Sequence, residues 1–342
     1  MTNPAQAAPD ISVCIANYNG GSSGLECLTS VYAQKGDFKL EVLLHDDCSS
    51  DDSLALVRRE FPGVTVLTST ENVGFCVSNN RMVAASRGRY VLLLNNDAVL
   101  RPSSLRNLLE FASADHEDSV LGLPQYTLTE RELVDCGYRT DIFLNPIPIL
   151  KPGTHDVGVA TGACLWIPRV VWNAVGGFPD WFESIAEDIY LCLAARLLGY
   201  RVIVIDAPGF DHWIGKNLGG GKVVAKRLIT TVRRRSLSER NKTFVMLLCY
   251  PTIVLLAAVP LHFVLLATEA FYLLVSGTGY SKVRRIYRPI PVALWRQRKQ
   301  IAKLRAHLMC QRRCAVRRLF SQTAWMPQKL HMLLRHGKPE LH

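Results

Sequence analysis

The chain has 342 residues, 49% hydrophobic and 20% charged, with 23 glycines, 17 prolines and 10 cysteines. These proportions exclude a collagen-like repeat, a small disulfide-stapled fold and a wholly disordered chain, and the length suits about two domains. The net charge of +11 is divided: residues 1–200 carry 14 Lys or Arg against 24 Asp or Glu, residues 201–280 carry 10 against 4, and residues 281–342 carry 16 against 1.

An acidic body with a basic tail differs from a nucleic-acid-binding module, whose positive surface lies on the folded domain. The tail needs a polyanion. Anionic lipid is preferred to RNA or DNA, because no base-stacking motif accompanies the arginines. The cysteines form no Cys-x-x-Cys pair and sit in apolar or helical patterns, which reads as reduced and buried. The start, MTNPAQAAPD, has neither a basic flank nor an apolar stretch. No secretory signal is therefore expected, and residues 1–10 read as a flexible terminus.

In chain order, residues 11–16 form an apolar run suited to a buried strand, followed by the turn signal Asn17-Tyr18-Asn19-Gly20-Gly21. Leu25, Leu28, Val31 and Tyr32 recur at helical spacing. Strands are predicted at 40–44, 64–68 and 90–94, and helices at 54–61 and 75–86. Apolar runs that alternate with helical ones predict an α/β fold with a mostly parallel central sheet covered by helices. In such sheets the functional groups collect beyond the carboxyl ends of the strands. Here those ends carry Asn17 to Asn19, Asp46, Asn72 with Gly74, and Asp97. Neither a G-x-G-x-x-G fingerprint nor a Walker loop is present, so a bound nucleotide must rely on side chains.

Further along, a strand is predicted over 157–167, a helix over 168–175, a turn over 176–180, a helix over 184–198 with Glu187 and Asp188 in its first turns, and a strand over 201–205. Residues 124–156 are Pro-rich and aperiodic, as in an insertion over a cleft or a purely structural excursion. Residues 243–268 hold no charged side chain and lie between basic clusters. They are long enough to span a bilayer, but Pro251 and Pro260 favour a monotopic hairpin or a buried helical pair over one straight crossing. Residues 292–319 read as a basic helix that could rest on anionic lipid, with Trp295 and Trp325 at headgroup depth.

Transfer from a nucleoside diphosphate sugar needs a hold on the base, charge for the leaving diphosphate and a base for the attacking hydroxyl. Asp46 suits the imide N–H of uracil or thymine. For Asp51 the alternative is N-cap duty, and for Asn17, Tyr18 and Asn19 it is shaping the turn. Asp97 suits Mg²⁺ or Mn²⁺, with His212 as a further ligand. Glu187 and Asp188 point about 100 degrees apart on a helix and are expected to divide their tasks, unless both serve the helix dipole.

Residues 11–20 (ISVCIANYNG), 41–51 (EVLLHDDCSSD), Asn72-Val73-Gly74-Phe75 through Asn80, and Leu94-Asn95-Asn96-Asp97 resemble the inverting glycosyltransferase family 2, in its bacterial branch similar to rhamnosyltransferases. Thr161 to Cys164, Gly176-Gly177-Phe178, Glu187-Asp188, Gly199-Tyr200 and His212 match that branch in the same order, so the resemblance covers residues 10–290. It implies a GT-A fold over 11–240, with a nucleotide-binding half near 11–100 and an acceptor half near 101–240. A C-terminal apolar and basic helical appendage over 241–342 would associate with the membrane.

By the same resemblance, Asp46 contacts the pyrimidine, Asp97 is the metal-binding residue of a degenerate DXD motif, Asp188 is the catalytic base, Glu187 supports the acceptor side and His212 lies near metal and diphosphate. Asn17, Tyr18, Asn19, Asp51, Asn72, Gly74, Asn80 and Asn96 complete the expected donor site. The implied reaction is transfer of a hexose or deoxyhexose, rhamnose among the candidates, from a UDP- or dTDP-sugar to a lipid-linked cell-surface glycan. The implied location is the cytoplasmic face of a bacterial inner membrane, peripheral or monotopic. Tyr190, Met82 and residues 215–219 depart from the family's usual residues. A nucleotidyltransferase and a noncatalytic glycan- or lipid-binding scaffold are the competing classes.

Overall fold

A computed structural model describes residues 8–213, 220–224, 227–337 and 340–341. Residues 1–7 and the unusual 215–219 segment lie outside them. The first half alternates strands and helices: β1 (Ile11–Asn17), α1 (Gly21–Tyr32), β2 (Leu40–Asp46), α2 (Ser53–Glu60), β3 (Thr65–Thr68), α3 (Phe75–Ala85) and β4 (Tyr90–Asn95). There follow β5 (Ala98–Leu100), α4 (Ser104–Ala114), β6 (Val120–Gly122), β7 (Gln125–Thr127), β8 (Leu133–Asp135), β9 (Tyr138–Asp141), β10 (Pro146–Pro148), β11 (His155–Asp156), β12 (Cys164–Pro168), α5 (Arg169–Val175), α6 (Glu187–Leu197), β13 (Val202–Val204) and β14 (Phe210–His212). The C-terminal helices are α7 (Val232–Cys249), α8 (Thr252–Val275), α9 (Tyr280–Tyr287), α10 (Pro289–Cys310), α11 (Val316–Leu319) and α12 (Gln328–His336).

The main sheet runs β11-β13-β6-β12-β4-β1-β2-β3. Its β4-β1-β2-β3 half is parallel, while β12 enters antiparallel between β4 and β6. Side chains alternate across this sheet. Cys14, Leu43, Val91 and Leu93 pack on the side covered by α3, α5 and α6, whereas Val13, Ile15, Val42, Leu44, Leu92 and Leu94 pack under α1, α2 and α4. Each such buried aliphatic side chain contributes about 2 kcal/mol by leaving water.

A small second sheet, β5-β14-β7-β8, sits beside the carboxyl end of β4. The expected aperiodic insertion over 124–156 is therefore a series of short strands: β7 and β8 in this sheet, β10 paired with β9, and β11 at the main sheet's edge.

Several predicted elements are shorter than expected. Of the 157–167 run only residues 164–167 are strand, within β12, because residues 161–163 turn to meet α6. The 184–198 helix begins at Glu187, since Glu183, Ile185 and Ala186 have positive φ (64°, 72° and 67°). The predicted basic helix over 292–319 breaks after Cys310, where the Arg313 and Cys314 amides both bond the Leu197 carbonyl at 3.1 Å.

The uncharged 243–268 stretch also divides. Residues 243–249 end α7 and are core: Phe244 stacks on Phe182 with centroids 5.7 Å apart, and Val245, Met246 and Leu248 are fully buried. These residues are not available to lipid. The chain turns at Tyr250-Pro251, and α8 then continues through Pro260. Residue 240, the expected division between catalytic body and appendage, lies inside α7. Among the described residues all ten cysteines are free, with Cys48 and Cys310 exposed and the others buried.

Candidate active site

The carboxyl ends of β1, β2 and β4 converge on one polar knot. The buried Asn17 amide donates to Asp46 Oδ1 at 3.0 Å and Ser53 Oγ at 3.0 Å, while its oxygen accepts from Asn96 Nδ2 at 3.0 Å. Asp46 Oδ2 also accepts the Ser49 N–H at 3.2 Å. Gly20 makes this possible, because a Cβ there would lie 2.2 Å from Asn17 Oδ1 and 2.8 Å from Asn96 Nδ2.

The remaining expected donor residues are distributed around this knot. Asn19 binds the Ser50 amide through its side chain at 2.8 Å, and Tyr18 is 48% exposed at the rim. Asp51 is not the N-cap of α2. Its carboxylate instead accepts the Gly21 N–H at 3.0 Å and the Ser53 hydroxyl at 2.5 Å, joining the starts of α1 and α2. Asn72 is exposed, and Gly74 has φ +88° with its amide on Asp47 Oδ2 at 2.9 Å. Asn80 lies apart from the knot: it fastens α3 to the 176–180 turn through the Phe178 carbonyl at 2.8 Å and Asp180 Oδ1 at 2.7 Å.

Asp97 and His212 meet because β5, which begins just after Asp97, pairs antiparallel with β14 and sets Ala98 opposite His212. His212 Nε2 lies 3.1 Å from Asp97 Oδ1. An ionised Asp97 can only accept, so in this pair Nε2 carries the hydrogen; the Gln125 amide lies 3.3 Å from Nδ1 and the Asn95 amide 3.4 Å from Nε2. A divalent cation would replace that hydrogen between a hard carboxylate and an imidazole, a donor set that fits Mg²⁺ or Mn²⁺. Among the described residues no three His, Cys, Asp or Glu side chains gather into a metal cluster. Asp97 and His212 would be the cation's two protein ligands. Behind the pair, Arg101 bonds Asp211 Oδ1 at 2.7 Å and lies 3.5 Å over the Tyr126 ring, which fixes β14 between β5 and β7.

Asp188, half-buried in the first turn of α6, accepts the Gly162 N–H at 3.1 Å and the Ile189 N–H at 2.7 Å. A Cβ on Gly162 would lie 3.3 Å from Asp188 Cβ, so a glycine permits this approach. The same turn bonds the end of β4, through Asn95 N to the Ala163 carbonyl at 2.9 Å. The carboxylate of α6 and the Asp97 segment thus hang on one three-residue turn. Glu187 is buried with Oε2 unpartnered. Burial, then the Asp188 charge, pushes its pKa well up, and burial raises that of Asp188 as well.

Four residues outside the sequence-derived set help to build this site. Asn241 in α7 donates to the Phe182, Ser184 and Ile185 carbonyls at 2.8, 2.9 and 2.8 Å, clamping the left-handed loop that precedes Glu187. Arg240 binds the same loop through the Phe182 carbonyl at 3.0 Å and Glu183 Oε1 at 2.7 Å. Arg234, in the first turn of α7, is within electrostatic reach of both Glu187 and Asp188. Asp135 is fully buried, accepts the Tyr138 hydroxyl at 2.6 Å and the Gly137 amide at 2.9 Å, and is within electrostatic reach of His212 and Asp188. Burial pushes its carboxyl up to about 6.

Comparison with known proteins agrees with this geometry. The model for "Glycosyl transferase family 2" matches residues 12–163, and that for "Glycosyl transferase family group 2" matches residues 90–326. The succinoglycan biosynthesis protein ExoO of Rhizobium meliloti is 34% identical over 225 residues, 63% of this chain and 64% of that protein. The chain spans less than two thirds of the length of the first curated relatives it matches. Among solved structures, TarS 1-349 of S. aureus in complex with UDP-GlcNAc superposes with a TM-score of 0.54 at 18% identity, covering 88% of this chain and 89% of that one. The mannosyltransferase PcManGT of Pyrobaculum calidifontis, in complex with GDP-Man and Mn²⁺, does so with a TM-score of 0.52 at 19% identity over 92% of this chain and 88% of that one. These likenesses identify a GT-A fold.

Proposed function

The chain belongs to the family 2 glycosyltransferases, and we propose that it is an inverting enzyme moving a hexose or deoxyhexose from a UDP- or dTDP-sugar to a hydroxyl of a lipid-linked cell-surface polysaccharide precursor. The observation that carries this reading is the 161–163 turn, which holds the Asp188 carboxylate through Gly162 and ties it to the strand end that presents Asp97. Asp188 takes the proton of the acceptor hydroxyl, whose oxygen forms a bond to the anomeric carbon as the bond to the diphosphate breaks. The nucleoside diphosphate leaves with the electron pair on the face opposite the attack, and the configuration inverts.

Burial and the neighbouring Asp188 charge favour the protonated form of Glu187, which stands beside the base on the acceptor side. On the donor side, Asp46 accepts the imide N–H of a pyrimidine while the Asn17 amide, itself held by Asn96, keeps it in place. Asp97 and His212 would hold Mg²⁺ or Mn²⁺. When bound, such an ion neutralises charge on the departing diphosphate.

Nucleotide-sugar complexes of TarS and PcManGT support a nucleoside diphosphate donor, and the name of the ExoO relative supports a polysaccharide product. The C-terminal helical region, 241–342 in the sequence reading, would bring the enzyme to the anionic cytoplasmic face of a bacterial inner membrane as a peripheral or monotopic protein. The test is a screen of UDP-, dTDP- and GDP-sugars with a polyprenyl-diphosphate-linked glycan, read by product mass and anomeric NMR. A pyrimidine-nucleotide donor giving a product of inverted configuration is expected; a retained configuration, or transfer of a nucleotidyl group, would refute the assignment.

A further inference from the structure

Helix α8 keeps its two polar anchors, His262 and Glu269, towards the protein and is apolar towards the outside. Its buried stripe, Ala258, His262, Leu266 and Leu273, also carries the half-buried Glu269, the helix's one charged residue. His262 Nε2 meets Thr243 Oγ1 at 2.9 Å, and Glu269 pairs with Arg235 and with Lys329, the latter at 2.8 Å. Lys329 also reaches the buried Glu239 at 2.8 Å. An ionic lock thus holds α7, α8 and α12 together.

The opposite face of α8 carries Ile253 (74% exposed), Leu256, Leu261, Val264, Phe271 and Val275, and no charge from end to end. A soluble helix has the reverse arrangement. On the segment locked beside it, Trp325 is 83% exposed and Leu330 and Leu334 are also exposed. Just beyond α8, Arg284 and Arg285 of α9 and Arg288 at its end are exposed.

With 24 residues and a mean hydropathy of 2.1 in its most apolar window, α8 has the length and composition of a membrane-crossing helix. Connectivity forbids a single crossing. The body before α8 and the segments after it are bonded to each other: Arg305 donates to the Leu247 and Tyr250 carbonyls at 2.7 and 2.8 Å, Arg196 of α6 donates to Ser321 Oγ at 2.9 Å, and Thr323–Ala324 pairs with β9. Both flanks of α8 therefore lie on one side of any bilayer. A helix docked lengthwise on polar α7 would also carry Arg235, Glu239 and Lys242 into hydrocarbon if it crossed.

We infer that α8, continued by α12 and the residues just before it, lies in the plane of an anionic bilayer with its charge-free face in the acyl-chain boundary and the α9 arginines at the phosphate level. This inference rests on reading the C-terminal region as membrane-associating, and it narrows the contact to one named face.

The test floats the full-length protein with phosphatidylethanolamine/phosphatidylglycerol vesicles, alongside the variant Leu256→Glu, Val264→Glu and Phe271→Glu. Binding by the variant should fall by roughly a hundredfold or more, with UDP-sugar binding and the thermal melt unchanged. Replacing Arg284, Arg285 and Arg288 with Gln should reduce the preference for phosphatidylglycerol over neutral vesicles. In cells, green fluorescent protein on the C-terminus of the full chain should fluoresce, and alkaline phosphatase there should be inactive.

Undiminished flotation of the glutamate variant, or an active C-terminal phosphatase, overturns the in-plane helix and leaves the membrane reading intact. A wild-type chain that does not float removes both. One that instead elutes as a dimer abolished by the same three substitutions assigns the face to a second copy.

Discussion

Replacing Asn241 with leucine should uncouple the α6 carboxylates from their loop without emptying the core. The side chain has two amide hydrogens facing three backbone carbonyls, those of Phe182, Ser184 and Ile185. Arg240 would still satisfy Phe182, which leaves the Ser184 and Ile185 carbonyls buried without a donor. Loss of two net hydrogen bonds, with the desolvation of their abandoned acceptors, costs about 2–4 kcal/mol.

That loss matters because the clamped loop is strained. Glu183, Ile185 and Ala186 all have positive φ, and each contributes about 1–2 kcal/mol of strain, most at β-branched Ile185. Without the clamp the loop should relax towards ordinary backbone and carry Asp188, two residues on, out of line with Gly162. A displacement of about 1 Å at a reacting group costs on the order of a hundredfold in rate. Urea unfolding would measure the first effect, and single-turnover transfer with donor-binding calorimetry the second. A stability loss of the expected size with turnover within about threefold of wild type would show that the clamp has no part in aiming Asp188.

Asp188→Asn should nearly abolish transfer while donor affinity changes little, and the acidic limb of kcat/KM should lie above the ordinary aspartate range because burial raises this carboxyl. In Glu187→Gln that limb should stay in place, since a protonated Glu187 imposes no charge on Asp188 as it titrates; a limb moved to lower pH would refute this. Asp97→Ala should weaken metal-dependent donor binding and transfer together, and an unchanged metal titration would exclude it as a ligand. Asp46→Ala should lose the preference for uracil or thymine nucleotides over purine ones in competition binding.

Asp135→Asn should stabilise the fold most at neutral pH. A buried carboxyl raised from 3.8 to about 6 penalises the folded state once ionised, by about 2–3 kcal/mol in full, and the penalty fades as pH falls through the folded and then the unfolded value. The gain in melting temperature should therefore shrink between about pH 7.5 and about pH 4.5.

The first hundred residues were legible because their strands and helices are short, regularly spaced and signalled by period: apolar runs for buried strands, three- and four-residue spacing for helices. The strand-end rule then points to Asp46 and Asp97 from the sequence alone. The pairing of Asp97 with His212 was not legible by spacing, since it depends on the register of two three-residue strands. Asn241, Arg240 and Asp135 left no signal, because their partners are mostly backbone groups, which look alike at every position. Residues 243–249 show a further limit. Hydropathy is the same for a segment that enters a protein core and one that enters lipid, and only the packing of Phe244 on Phe182 separates them.

The strap from α10 to α12 has a practical meaning for anyone wishing to handle this enzyme in solution. Arg196 is a buried cation whose guanidinium is shared among Asp156, the Val157 and Arg318 carbonyls and Ser321. Cutting the chain after residue 310 would remove two of those acceptors and bare the edge of β9 that Thr323–Ala324 now covers, leaving an open strand as a template for aggregation. Trimming the basic C-terminal end of the protein would therefore damage the helix that carries Glu187 and Asp188. Solubility is better sought by recolouring the outer face of α8 with charge while leaving the chain whole.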